Sequence, residues 1–351
     1  MIAAVLAAMV ALQASNGTLT AIRGVRVGHH ALDERPTGCT VILVDGGAVA
    51  GVAQRGAAPG TRETDRLRVG STNYEAGSTK SDASTDGGDR IDAVVLSGGS
   101  AYGLDAATGV MRWLDEHRSG RTASAGVPIV ASAVLIDLWV GGKPRIRPGG
   151  DCGYRAAAAA THARVREGTV GAGAGATVGK LSGRDHAMKG GIGSAAIVLP
   201  NGLQVAAIVA VNPLGDVIDP QTGRVIAGVR TAGGSLADAR KLLRAGATMA
   251  PAPAGGNTTI GVVATNARLT KADANRVAQM ADSGYARAIT PIHTPADGDT
   301  IFSLATGRWI GEADAATIGA LAADVIAQAI VRAVTTATSA AGIPAARDLK
   351  R

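Results

Sequence analysis

The segment Gly255-Gly256-Asn257-Thr258-Thr259-Ile260 sets a hydroxyl side chain at the head of an apolar run, directly after a glycine-rich stretch. This placement suits one reaction. The Thr258 hydroxyl can attack the carbonyl of Asn257 and convert the peptide to an ester by an N-to-O shift, and water can then hydrolyse the ester. The freed α-amine of Thr258 would stand beside its own hydroxyl. With an ordinary pKa of about 8, that amine can act as the base for a weak alcohol nucleophile. Taken alone, the segment is better explained by a β-branched residue opening a strand.

Other positions offer supporting chemistry. In His293-Thr294-Pro295-Ala296-Asp297-Gly298-Asp299-Thr300, two carboxylates are separated by a single glycine just before a strand. In a tight turn, Asp297 and Asp299 could orient an ammonium group, bond the threonine hydroxyl, or shift each other's pKa. Taken alone, an ordinary Asp-Gly turn is the better explanation. Asn212, in Asn212-Pro213-Leu214-Gly215, follows an apolar run, and its side-chain amide could donate to an oxyanion. Lys180 follows a glycine run and could bring a cation to a site; by itself it reads as a surface lysine.

Several competing signals fail. Gly171 to Lys180 resembles a phosphate loop, but Ala174 and Leu181 stand where the Walker pattern needs glycine and a hydroxyl residue. Gly98-Gly99-Ser100-Ala101-Tyr102 lacks the closing glycine of a nucleophile elbow. The six histidines show no ligand spacing, so no metal site is expected, and the self-cleaving chemistry above implies no organic cofactor.

These groups need a scaffold, and the hydrophobic pattern mixes short strands with helices, as in an α+β layered domain. Thr40–Val44 and Ala48–Ala53 around Asp45-Gly46-Gly47 predict a hairpin. Ile91–Leu96 and Ile129–Leu138 predict buried strands. Helical spacing covers Leu104–Glu116, and Asp151–Val165 is Ala-rich. Ala195–Leu199 and Leu203–Val211 around Pro200-Asn201-Gly202 predict a second hairpin. Leu236–Leu243 reads as a helix capped by Ser235. Pro251 to Gly256 reads as an exposed linker, followed by a strand at Ile260–Thr265. Thr270 and Asp273 form a capping box opening a helix to about Ala286. Ile301–Ala305 is a strand, and Ala315–Ala337 an amphipathic helix with Ile318, Leu321, Val325, Ile326, Ile330 and Val334 inward.

Composition narrows the partners. The 351 residues are 46% hydrophobic and 2% aromatic, so a full core must be built from aliphatic side chains. The net charge of +7 is scattered and lacks aromatic stacking platforms, which argues against nucleic acid. Cys39 and Cys152 read as small buried residues rather than a disulfide framework. Ile2–Leu12 is an apolar run too short to span a bilayer. Residues 1–14 resemble a signal peptide without a positive leader. Periplasmic or secreted and cytoplasmic locations both stay open, with export favoured.

The chain resembles the L-aminopeptidase/D-esterase family, which includes β-peptidyl aminopeptidases and nylon-oligomer hydrolases. The resemblance runs from about Gly24 to Gly342. It rests on Val27-Gly28-His29-His30, Thr37-Gly38-Cys39-Thr40, the stretch Arg55 to Asp65, Leu96 to Leu104, Lys189-Gly190-Gly191-Ile192-Gly193, the Asn257–Thr258 junction and Asp297-Gly298-Asp299-Thr300. It implies a four-layer αββα sandwich of the aminopeptidase/ornithine acetyltransferase type and self-cleavage before the nucleophile. It also implies association of the fragments, residues 15–257 and 258–351, in a homo-oligomer acting on short peptides, amides or esters. By this resemblance Thr258 is the nucleophile, Asn257 the new C-terminus and Asn212 the oxyanion donor. Asp297 and Asp299 orient the nucleophile, and Lys180 lies near the site as in the nylon-oligomer branch. Ile136 stands where some members carry an assisting tyrosine. Endo-hydrolysis of amide oligomers and an uncleaved scaffold are the alternatives, together with an acyltransferase like the ornithine acetyltransferases. The Lys-Gly-x-Gly-Met lead-in of that last group is missing here.

Overall fold

The computed structural model describes residues 16–70, 90–117, 126–248, 256–312 and 314–349; the apolar N-terminal run and the linker up to Gly255 lie outside them. The described strands are β1 Val25–Ala31, β2 Gly38–Gln54, β3 Thr61–Arg62, β4 Arg90–Ser97, β5 Val130–Val134, β6 Thr177–Val178, β7 Met188–Lys189, β8 Gly191–Val198, β9 Gln204–Val211, β10 Asp216–Ile218, β11 Val225–Ala227, β12 Ile260–Thr265, β13 Ile289–Thr290 and β14 Thr300–Ala305. The helices are α1 Ala106–His117, α2 Gly150–Ala158, α3 Ala239–Arg244, α4 Lys271–Ala281, α5 Ser283–Ala288 and α6 Ala315–Thr336.

The main sheet runs β3-β5-β4-β2-β14-β12-β9-β8, with β1 pairing β2 off this path. Period-two alternation divides each strand between two cores. In β12, Ile260, Val262 and Ala264 join Ile42, Val94, Ile208 and Phe302 in an inner core between the strand layers. Val263 faces outward, with Val205 and Val209, onto α4 and α6. On the far side Val41, Leu43 and Val95 pack against α1 and α2. The result is helices, strands, strands, helices: the four-layer sandwich. Helix α6 is apolar and long enough to cross a membrane, but most of it is buried in this fold. Gly193 lets it approach, since a Cβ there would lie 1.9 Å from the Ala329 carbonyl.

Several elements differ from expectation. Residues 38–54 form no hairpin but one bent strand. Its first part pairs with β1 and its second with β14, and its register against β4 shifts between Leu43 and Ala48. Gly46 and Gly47, at φ 79° and 74°, supply a bend rather than a reversal. The strand expected over 129–138 stops at Val134, and the helix expected over 151–165 stops at Ala158. Asp238, not Ser235, caps α3, its carboxylate accepting from the Arg240 N–H. The helix after Thr270 has its capping box but breaks at Asp282 into α4 and α5. Cys39 and Cys152 are buried as expected but disulfide-bonded, β2 and α2 bringing their Cα atoms to 6.2 Å across a separation of 113 residues that sequence cannot span.

Candidate active site

Strand pairing builds the site. β12 and β14 run parallel with Ile260 opposite Thr300. Continued upstream, this register sets Asn257 beside Asp297, where a parallel bridge forms. The Asp297-Gly298-Asp299 turn therefore lies alongside Asn257-Thr258-Thr259. On the other flank β9 is antiparallel to β12, which brings Asn212, just past the end of β9, level with Thr258. Three strand ends thus meet at the nucleophile candidate.

The chain is continuous through Asn257 and Thr258, and Thr258 is 2% exposed. Its hydroxyl donates to the Asn257 carbonyl at 2.5 Å, and the Gly298 N–H donates to the same oxygen at 3.0 Å. Only glycine fits at position 298, because a Cβ would lie 2.5 Å from the Ala58 carbonyl and 3.0 Å from Thr258 Oγ1. The Arg55 to Pro59 loop braces this turn: Ala58 N donates to Asp297 O at 3.0 Å, and Arg55 N to Asp299 O at 3.1 Å.

Asn212 meets Thr258 through its backbone, its carbonyl accepting the Thr258 N–H at 3.0 Å. Its side-chain amide donates to the Ile136 carbonyl at 3.2 Å, and its Oδ1 accepts from Thr177 N at 2.9 Å. Ile136 therefore contributes a carbonyl that orients Asn212, whatever its side chain lacks. Lys180 is not the surface residue its surroundings in sequence suggest. It is 5% exposed, and its Nζ donates to the Thr177 carbonyl at 3.0 Å, the Asn212 carbonyl at 3.0 Å and Asn212 Oδ1 at 3.1 Å. Burial pulls its pKa down to about 7, against the opposing pull of Asp297.

The two aspartates are fully buried and differently held. Asp299 accepts the Thr259 N–H at 2.7 Å on one oxygen and His293 Nδ1 at 2.9 Å on the other. Asp297 accepts the Thr294 N–H at 2.7 Å on Oδ2, while Oδ1 is buried with no hydrogen-bond partner. Burial, reinforced by the charge of Asp299, pushes Asp297 up to about 6. Sequence reasoning gave Gly298, His293 and Thr177 no role. His293 heads the aspartate cluster and was the one legible hint.

Among the described residues, no group of three His, Cys, Asp or Glu is placed to hold a metal. A cavity of about 760 Å³, lined by Arg23, His162, Asn266 and Trp309 among others, opens at the other end of β12 and holds none of these groups.

The family model for peptidase family S58 matches residues 17–347. The chain belongs to peptidase family S58. An uncharacterized aminopeptidase of Mycobacterium tuberculosis is 41% identical over 359 residues, spanning 95% of this chain and 97% of the relative. A 6-aminohexanoate-oligomer endohydrolase of Paenarthrobacter ureafaciens is 30% identical over 326 residues, spanning 88% and 84%. Among solved structures, the L-aminopeptidase D-Ala-esterase/amidase of Ochrobactrum anthropi aligns with a TM-score of 0.66 at 18% identity, covering 92% of this chain and 86% of that one. The β-aminopeptidase of a Burkholderia species aligns at 0.62 and 21%, covering 94% and 90%. These two likenesses bear on the fold alone; the Ochrobactrum anthropi enzyme is described as a variant of the Ntn hydrolase fold. As a member of family S58, the protein is an aminopeptidase-type hydrolase of peptide or amide bonds.

Proposed function

We propose that this S58 hydrolase cuts itself between Asn257 and Thr258 and then works as an N-terminal-nucleophile aminopeptidase on short peptides, amides or esters. One observation carries the reading: the Thr258 hydroxyl and the Gly298 N–H converge on the Asn257 carbonyl oxygen, at 2.5 and 3.0 Å. In self-cleavage, Thr258 Oγ1 attacks the Asn257 carbonyl carbon while Gly298 N–H steadies the developing oxyanion. Asp297, with an unbonded oxygen and a pKa near neutrality, takes the hydroxyl proton. Lys180 supplies a proton toward the departing Thr258 nitrogen, which already bonds the same Asn212 carbonyl as the lysine does. Water hydrolyses the ester, leaving the Asn257 carboxylate and a free Thr258 with its amine and hydroxyl adjacent.

In the cut enzyme the Asn212 carbonyl holds the new amine, that amine shuttles protons, and Thr258 forms an acyl-enzyme that water clears. The Asn212 side-chain amide is the proposed oxyanion donor of this cycle. Resemblance to the 6-aminohexanoate-oligomer endohydrolase favours a second reading, internal cleavage of amide oligomers. It differs in releasing internal fragments rather than single terminal residues.

Mixing the cut protein with aminoacyl p-nitroanilides tests the acyl-enzyme. The expected trace is a burst of one nitroaniline per Thr258, absent in Thr258→Ala. Undiminished hydrolysis by Thr258→Ala would move the active site elsewhere.

A further inference from the structure

His293 stands outside the chemistry described so far, yet its geometry is unusual. It is a non-glycine residue at φ 58°, in the left-handed region that such residues seldom adopt. That conformation lets both its backbone N–H and its Nδ1 reach one oxygen, Asp299 Oδ2, at 3.2 and 2.9 Å. The opposite ring nitrogen, Nε2, lies 3.1 Å from Asp282 Oδ2 at the break between α4 and α5. The other oxygen of Asp299 holds the Thr259 N–H, one residue past the nucleophile.

We propose that His293 is the positioning residue of the aspartate pair: set between Asp282 and Asp299, it fixes the Asp299 carboxylate in the orientation that anchors Thr259. The proton exchanged during self-cleavage then falls to Asp297. This rests on the self-cleavage reading above.

The surroundings agree. The titratable groups facing His293 are Asp299 from its own turn and Asp282 and Tyr285 from the α4–α5 corner; Arg55 in turn reaches Asp282, its Nε 3.9 Å from Oδ2. Burial alone would lower the imidazole pKa, but the hydrogen bond with Asp299 and the nearby charges of Asp282 and Asp299 outweigh it and carry it up to about 9. At neutral pH the ring is therefore cationic. Asp297 has no hydrogen-bond partner on its second oxygen, so the two neighbouring carboxylates are held differently.

The test follows self-cleavage of freshly made protein between pH 5 and 9, on denaturing gels, for wild type, His293→Gln and Asp282→Asn. Glutamine keeps a donor toward Asp299 and removes the charge. Loss of a nearby cation raises carboxylate pKa values, so the acid limb of the His293→Gln profile should move up by about one pH unit, with roughly five-fold slower cleavage at pH 6. Asp282→Asn leaves the ring in place but frees it to lose its proton earlier. In the uncut Thr258→Ala background its ring, followed by NMR, should lose its proton at a lower pH than the ring of Thr258→Ala alone. It also serves if His293→Gln fails to fold. A His293→Gln acid limb at the wild-type pH, with only a uniform drop in rate, would overturn the proposal and leave His293 a packing residue. So would an Asp282→Asn ring that titrates at the same pH as the ring with Asp282 in place. A wild-type chain that never cuts would instead sink the self-cleavage reading itself.

Discussion

At the scale of single residues, the site depends on side chains taken out of water. Lys180 has its ammonium among carbonyl and amide oxygens of Thr177 and Asn212, and burial brings its pKa to about 7, so at neutral pH it can both hold and release a proton. Lys180→Met keeps the length of the side chain and removes that capacity. Self-cleavage, followed by gel, should slow by about 10²-fold, the usual share of one proton-transfer group; an unchanged rate would make the lysine merely structural. What could be read beforehand divides along the same line. Thr258 after paired glycines and the spaced aspartates were visible as residue types next to turn formers. The burial of Lys180 was not, because its partners are 3 and 32 residues away and meet it only through folding. Gly298 looked like a turn glycine. Its approach to the Asn257 carbonyl comes from the pairing of two strands that sequence leaves unpaired.

At the scale of elements, close backbone approach sets the layers. Gly193 on β8 faces α6, where an added Cβ would meet the Ala329 carbonyl at 1.9 Å and the Ala333 nitrogen at 2.5 Å. Neither can swing aside as a side-chain tip would. In uncut Thr258→Ala protein, adding Gly193→Ala should cost about 3 kcal/mol, seen as a lower urea midpoint with an unchanged slope. A neutral result would mean that α6 sits further from β8. Strong local signals were legible here: the hairpin over 195–211, the Thr270–Asp273 capping box, and the long apolar helix. The bend in β2 was not, because Asp45-Gly46-Gly47 can close a hairpin or kink a strand. Only its partners β1 and β14, on opposite sides of the bend, decide between the two. The Cys39–Cys152 bond was hidden for a similar reason.

At the scale of the whole molecule, β12 and β14 belong to residues 258–351 but lie between β9 and β2 of the preceding chain. Cleavage before Thr258 would leave both strands inside the sheet, so the fragments should remain together. Buried ionisable groups also set a pH dependence of stability. Lys180 and Lys189 fall from 10.5 to about 7 on burial, so each costs stability below pH 7, a cost relieved as pH rises toward 10.5. His293, raised from 6.5 to about 9, contributes stability that is full below 6.5 and lost on rising through 9. With two lysines against one histidine, stability of the uncut Thr258→Ala protein should increase from pH 7 to 9. Lys189→Met should flatten that slope. Denaturant titrations at three pH values check the sign, and a decrease would mean the lysines are hydrated.

Self-cleavage at Thr258 carries all the rest, and the intact mass of wild type and Thr258→Ala under denaturing conditions tests it most directly. The expected result is two wild-type fragments divided between Asn257 and Thr258, beside a single uncut mutant chain. A wild-type chain still whole after long incubation, or a Thr258→Ala chain cut at the same bond, would contradict it.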